Sequence, residues 1–253
     1  MTTAVAVIPA RLDSSRFPRK VLAEVAGKPL IEWVYEHTRQ ARRIDRVIIA
    51  TDSREVETAC RKFTDDVHLS TQLHVCGSDR VAEATREIDC DIVANVQADQ
   101  PLMDPRLLDD LTGLFADPGV EIATAVTPIH GMAHFLDPNI VKVVRGEGDD
   151  ALYFSRAPIP WHRDSPPSPI SPFPQGFKAW EHVGVYLFRK PALEAFASVS
   201  PTPLERTESL EQLRALETGQ RIRVLEWDYE GVEIDTPADL ERLREVMKSR
   251  HGN

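Results

Sequence analysis

The chain concentrates cations in one short stretch: Arg11, Arg16, Arg19 and Lys20 all fall between Pro9 and Lys20. Such a loop suits a triphosphate, because arginine offers forked hydrogen bonds and lysine a point charge. Pro9 and Pro18 stiffen it. A solvated basic loop is the other reading, and charge alone does not separate the two. Two carboxylates also end apolar runs. Asp99 follows Ile92–Val96 through Gln97 and Ala98, and Asp235 follows Val232-Glu233-Ile234. A carboxylate just past a buried strand is a frequent Mg²⁺ ligand, since that ion takes one or two carboxylates plus phosphate oxygens. Asp99 could instead cap a turn. Asp235-Thr236-Pro237 could simply open a helix, with the acid complementing its dipole. Spacing alone does not bring Asp99 and Asp235 together.

Several other chemistries lack their signatures. The sequence has no GxxxxGK[ST] loop, no GxGxxG after the first strand and no GxSxG elbow, which weighs against a P-loop NTPase, a dinucleotide enzyme or an α/β-hydrolase. His130 and His134 have helical ligand spacing, but the segment carries a glycine and lacks the HExxH glutamate. His74 and Cys76 make an equally poor ligand pair.

The elements that must position these residues follow from apolar periodicity. Ala4–Ile8, Arg46–Ala50 and Ile92–Val96 read as strands buried on both faces. Helices are predicted at Pro29–Arg42, Arg54–Phe63 (capped by Asp52 or Ser53), Ser78–Ile88, and from Asp104-Pro105 through Leu107, Leu108, Leu111, Leu114 and Phe115. This alternation predicts right-handed crossovers and a mostly parallel sheet with helices on both faces. Ligands of such sheets bind beyond the carboxyl ends of the strands, where the cationic loop and Asp99 lie.

The middle reads differently. Ile122–Val126, Val141–Val144, Ala151–Phe154 and Val183–Phe188 look like strands without intervening helices, and Pro158–Pro174 like a mobile surface loop or lid. Residues from about 130 to 200 are expected to form an insertion on the sheet's edge within one domain spanning 1–253. A helix over Leu204–Thr218 ending at Gly219, a strand over Ile222–Trp227 and a last helix from Thr236-Pro237-Ala238-Asp239 complete the reading.

The 253 residues carry a formal charge of −10 with no basic block outside the N-terminal loop, so a nucleic-acid partner is not expected. No apolar run approaches the roughly 20 residues of a membrane span. No signal peptide is visible, and Cys60, Cys76 and Cys90 show no paired spacing, so a cytoplasmic setting is expected.

Taken together, the motifs resemble one family. Ile8-Pro9-Ala10-Arg11, Ser14-Ser15-Arg16-Phe17-Pro18-Arg19-Lys20 and Gly27-Lys28-Pro29 are similar to the N-terminal signature of the 3-deoxy-manno-octulosonate (Kdo) cytidylyltransferases. The likeness continues through Ala50-Thr51-Asp52, Gly77-Ser78-Asp79-Arg80, Asn95-Val96-Gln97-Ala98-Asp99 and Ala151–Arg156. It runs on through His182–Tyr186, Leu204-Glu205, Leu210–Arg214 and Asp235-Thr236-Pro237. The glycine-rich GGxGTR loop of sugar-1-phosphate transferases is absent. Leu12–Arg16 stands where sialic acid cytidylyltransferases carry glycine and lysine.

The resemblance implies a Rossmann-like nucleotidyltransferase core, a β-rich insertion forming the sugar-site lid and dimer surface, Mg²⁺ dependence, and a place in lipopolysaccharide biosynthesis. It assigns CTP to Ala10, Arg11, Lys20, Cys76, Gly77, Ser78 and Arg80, and Mg²⁺ to Asp99 and Asp235. It assigns the sugar acid to Gln97, Arg156, His182, Tyr186, Glu211 and Gln212. The implied reaction is attack of the sugar's anomeric hydroxyl on the α-phosphorus of CTP with loss of pyrophosphate, with Arg11, Lys20, Asp99 and Asp235 as the catalytic set. The chain departs from the family at Cys76-Gly77-Ser78 (Ser-Gly-Thr is usual), Ala98 (Gly), Gln100 (Glu) and Leu187 (a small residue). An amino-substituted Kdo stays open as the acceptor, because Glu208 and Glu211, expected one helical turn apart, could receive an ammonium. The rival readings are a glycosyltransferase using Asp89-Cys90-Asp91, which precedes its strand instead of ending it, and a nucleotide-binding protein without catalysis.

Overall fold

The computed structural model describes residues 2–12, 17–229, 231 and 233–251, the last three by backbone alone. Asp13–Arg16 and Val232, which the sequence analysis singled out, lie outside the described residues. The chain packs as two compact units, residues 1–113 with 230–253, and residues 114–229.

The first unit is built on four parallel strands. β1 (Ala4–Ala10) is buried at every position. A short hairpin of β2 (Glu24–Val25) and β3 (Lys28–Pro29) leads into α1 (Leu30–Thr38). β4 (Arg46–Thr51), α2 (Arg54–Cys60), β5 (Val67–Leu69), α3 (Gly77–Thr85), β6 (Ile92–Asn95) and α4 (Pro105–Leu114) follow in alternation. Within this unit the strand order is β6-β1-β4-β5, all parallel, with Val5 beside Arg46 on one side and Val93 on the other. Continuous apolar runs form these strands because helices cover both faces, leaving no polar side to alternate with. The Ser53 hydroxyl accepts from the Val56 amide at 3.4 Å and starts α2.

The second unit is a mixed sheet. β7 (Ile122–Pro128) is followed by α5 (Met132–Leu136), β8 (Lys142–Arg145), β9 (Ala151–Ser155) and β10 (Trp180–Arg189). Then come α6 (Lys190–Ala197), α7 (Pro203–Glu208), α8 (Gln212–Glu217) and β11 (Ile222–Glu226). β7 pairs with β11 in parallel and with β10 antiparallel, and β10, β8 and β9 run antiparallel in succession. A register shift between Val183 and Tyr186 bulges β10. Residues 158–174 carry neither helix nor strand. The chain then returns to the first unit for α9 (Pro237–His251).

Two sequence expectations are corrected here. The strands of the middle region are not free of helices, because α5 stands between β7 and β8. Five residues are too few to show a helical period, yet Met132 and Phe135 bury against Ile129 and Ala179. The helix expected over Leu204–Thr218 is two helices, broken at Ser209, which adopts a left-handed φ of 53°. The break lets Glu205 meet Arg214 through two hydrogen bonds of 2.8 and 2.6 Å, both side chains buried. On an unbroken helix those residues would stand about 13.5 Å apart along the axis, at 1.5 Å per residue. Glu208 and Glu211 therefore do not share a helix either.

Candidate active site

Lys20 ends the cationic loop in a short 3-10 turn over Lys20–Leu22 and is nearly buried, at 9% exposure. Its ammonium donates to Asp99 Oδ2 at 2.9 Å and to Asp235 Oδ1 at 3.2 Å. Burial works against that charge, but the two carboxylates outweigh it and hold the Lys20 pKa above the ordinary lysine value. Asp99 lies in the turn after β6, and Asp235 just before α9. The backbone joins their segments, since the Ile234 amide donates to the Asp99 carbonyl at 2.9 Å. Thr236 and Asp239 then cap α9: the Thr236 amide donates to Asp239 Oδ2 at 2.8 Å, and the Asp239 amide to Thr236 Oγ1 at 3.3 Å. Asp235 itself is left facing Lys20.

The structure sorts the loop's cations. Arg19 pairs with Glu55 of α2 on the surface, so it belongs to the loop's own anchoring. Arg11 follows β1 directly, is exposed, and donates from Nη2 to the His74 carbonyl at 3.2 Å. Arg16 lies outside the described residues.

Cys76 caps the start of α3, with Gly77 and Ser78 in its first turn. The Asn95 amide group donates to the Ser78 hydroxyl at 3.0 Å, tying α3 to β6. Arg80, fully buried, donates from Nη2 to Asp52 Oδ2 at 2.5 Å, while its Nε and Nη1 have no partner among the described residues. A buried guanidinium with idle donors is costly unless a ligand supplies acceptors. Asp52 stands just past β4; the sequence reading placed it in the Ala50-Thr51-Asp52 motif and as a candidate helix cap, but gave it no role in the site.

Two of the departures from the family pattern, Gln100 and Leu187, have local settings that fit them. Gln100 is 1% exposed and donates from Nε2 to Glu233 at 2.8 Å. A glutamate at 100 would set two carboxylates against each other. Leu187 is fully buried and, by strand alternation, points away from the face that Tyr186 presents. For Ala98 the structure offers no comparable reason.

Gln97 apart, the residues assigned to the sugar acid lie in the second unit. Arg156 donates from Nε to the Glu208 carbonyl at 2.8 Å and from Nη1 to the Pro138 carbonyl at 3.1 Å. The Glu208 carboxylate accepts from the Ser155 hydroxyl at 2.6 Å and from the Arg156 amide at 3.0 Å. Both of its oxygens thus hold the Ser155–Arg156 segment in place. Lys142, fully buried, donates to the Asp137 carbonyl at 2.8 Å and to the Ile140 carbonyl at 2.5 Å, fixing the turn that holds Arg156. Nothing in the sequence distinguished it from any other strand residue. The His182 ring packs between Phe154 and Tyr186, with centroids at 5.2 and 5.1 Å, and its Nε2 meets the Thr124 hydroxyl at 2.9 Å. Burial pushes the His182 pKa down to about 3, so the ring is neutral. Gln212 is 5% exposed, and its Nε2 lacks a partner among the described residues.

The donor set around Lys20 suits a hard divalent cation: two carboxylates converging on one point beside a loop fit for phosphates. Among the described residues no cluster of three or more His, Cys, Asp or Glu side chains offers a separate metal site. No described helix is long and apolar enough to cross a membrane.

Comparison with known proteins identifies the class. A model of the Cytidylyltransferase family matches residues 5–222. The chain is 45% identical over 245 residues to a 3-deoxy-manno-octulosonate cytidylyltransferase of Geobacter metallireducens, covering 96% of each chain. It is 44% identical to that of Geobacter sulfurreducens, over 96% of this chain and 98% of the relative. A solved CMP:2-keto-3-deoxy-manno-octonic acid synthetase complexed with CTP superposes with a TM-score of 0.89 at 37% identity, over 98% of this chain and all of that one. The fold is thus a nucleotidyltransferase α/β fold, and the protein is a cytidylyltransferase. The chain belongs to the 3-deoxy-manno-octulosonate cytidylyltransferase family.

Proposed function

We propose that the protein transfers CMP from CTP to the anomeric hydroxyl of Kdo and releases pyrophosphate. The observation that carries this is the convergence of Asp99 and Asp235 on Lys20 beside the loop that bears Arg11. The relatives' names supply the nucleotide and the sugar.

Arg11 and Lys20 face the triphosphate and neutralise charge that builds on the departing pyrophosphate. Asp99 and Asp235 would hold Mg²⁺, which neutralises the triphosphate and makes the α-phosphorus more electrophilic. The first turn of α3, with Cys76, Gly77 and Ser78, and the idle donors of Arg80 receive the nucleotide. Arg156, fixed by Glu208 and Pro138, keeps Nη2 for the sugar carboxylate. Neutral His182 with Tyr186, Glu211, Gln212 and Gln97 meets the ring hydroxyls. The hydroxyl oxygen forms a bond to the α-phosphorus and gives up its proton to solvent, as the bond to the bridging oxygen breaks and its electron pair leaves with pyrophosphate. Positioning and charge neutralisation dominate, as phosphoryl chemistry requires little covalent work from the protein. Residues from about 130 to 200 act as sugar-site lid and homodimer surface, in keeping with the exposed Leu152, Trp161 and Ile170. The setting is the cytoplasm.

The test is pyrophosphate release from CTP or UTP with Kdo, an amino-Kdo or a sialic acid. Kdo with CTP and Mg²⁺ gives the highest kcat/KM. A sialic acid used as efficiently as Kdo would overturn the sugar, and UTP used as efficiently as CTP the nucleotide.

A further inference from the structure

The loop between β5 and α3 is held in an unusual way. Thr71 to Val75 make no backbone-to-backbone hydrogen bond among the described residues. Its apolar side chains do not hold it either, because Leu73 is 94% and Val75 69% exposed. His74, between them, turns inward and is about as buried as its partner, with side-chain exposures of 10% and 11% for His74 and Glu83. His74 Nε2 lies 2.7 Å from Glu83 Oε2 and 3.0 Å from the Ser70 hydroxyl, and that hydroxyl also donates to Glu83. Glu83 projects from α3, the helix whose first turn carries Gly77 and Ser78. The backbone carbonyl of the same His74 accepts from Arg11.

We infer that His74 is a positioning residue: its ring, clamped by Glu83 and Ser70, fixes the loop so that its carbonyl orients Arg11 toward the nucleotide. The anchor is polar because the loop offers nothing apolar facing inward. A charge-assisted hydrogen bond to a mostly buried carboxylate is strong enough to fix a short loop. Without it the carbonyl wanders, and Arg11 loses the acceptor that fixes its fork before the triphosphate arrives. A shift of about 1 Å in a positioning group costs on the order of 10²-fold. This inference rests on the cytidylyltransferase reading for its kinetic half only.

The kinetic test uses the full chain with CTP, Kdo and Mg²⁺. His74→Ala raises KM for CTP about 10- to 100-fold and leaves KM for the sugar unchanged. Glu83→Gln, which keeps an oxygen acceptor in the same place, retains more of the wild-type affinity for CTP than Glu83→Ala, which behaves like His74→Ala. Because His74 acts through Arg11, the Arg11→Ala/His74→Ala double variant binds CTP no worse than Arg11→Ala alone. Unchanged KM for CTP in His74→Ala, an equal rise for the sugar, or additive losses in the double variant would each overturn the inference. Backbone NMR relaxation of the nucleotide-free protein separates this from the reaction itself. His74→Ala lowers the order parameters of residues 71–77 while α3 beyond Val81 keeps its own, and unchanged order parameters would overturn the clamp whatever the enzyme acts on. If the wild type releases no pyrophosphate, the reaction assignment fails and the relaxation result alone decides the clamp.

Discussion

The Ile234 amide donates to the Asp99 carbonyl at 2.9 Å, so two segments far apart in the chain present their carboxylates, Asp99 and Asp235, to one place. Lys20 sits between them at 2.9 and 3.2 Å. Replacing Asp99 with asparagine keeps the side chain's shape and removes the charge. Asp99→Asn loses at least about a hundredfold in kcat, as expected for loss of a charged group that neutralises a transferring phosphoryl, while its melting curve stays cooperative. Wild-type turnover in the presence of Mg²⁺ would remove Asp99 from the site.

Lys20→Met exposes the opposite face of the same arrangement. Two carboxylates then face each other without their shared cation, at a cost of about 1–3 kcal/mol. For a chain of this size that lowers Tm by about 2–4 °C per kcal/mol in EDTA, and Mg²⁺ raises Tm more in the variant than in the wild type. In turnover, kcat falls while KM for the sugar holds. An effect confined to the sugar KM would contradict the placement of Lys20.

The sequence showed the parallel core and the strand-end residues because buried strands and crossover helices leave clear periods. It did not show what depends on the third dimension. Asp52 and Arg80 come from different elements and meet only in the fold, as do His74 and Glu83. The break at Ser209 carried no glycine or proline to announce it, and its purpose, the Glu205–Arg214 pair, is a contact across the break. Arg156 was legible as a cation, but not the Lys142-held turn and the Glu208 carboxylate that fix it.

That pair gives a stability prediction. Arg214→Met strands a buried Glu205 carboxylate whose other hydrogen-bond partner among the described residues is the Thr202 amide, at 3.0 Å. Breaking a buried ion pair costs about 3–5 kcal/mol, read as a lower urea midpoint at unchanged slope. A loss below about 1 kcal/mol, the range of exposed pairs, would show the pair to be dispensable.

His182 predicts a pH dependence. Its folded pKa, about 3, lies below the unfolded value of roughly 6.5, so below pH ~6.5 the unfolded chain binds more protons than the folded one. Stability from this group is therefore full above that pH and declines steadily toward pH 3. His182→Phe flattens this decline, and NMR finds the wild-type ring neutral at pH 5. An imidazolium at pH 5 would contradict the packing of Phe154 and Tyr186 around it.

Phosphorus NMR of one reaction mixture tests the central claim most directly. With CTP, Mg²⁺ and Kdo labelled with ¹⁸O at its anomeric hydroxyl, the account predicts one new phosphodiester signal growing in step with pyrophosphate, shifted by the label in the bridging oxygen. Unlabelled CMP and pyrophosphate without the phosphodiester, or label appearing in the pyrophosphate, would contradict transfer of CMP to the sugar.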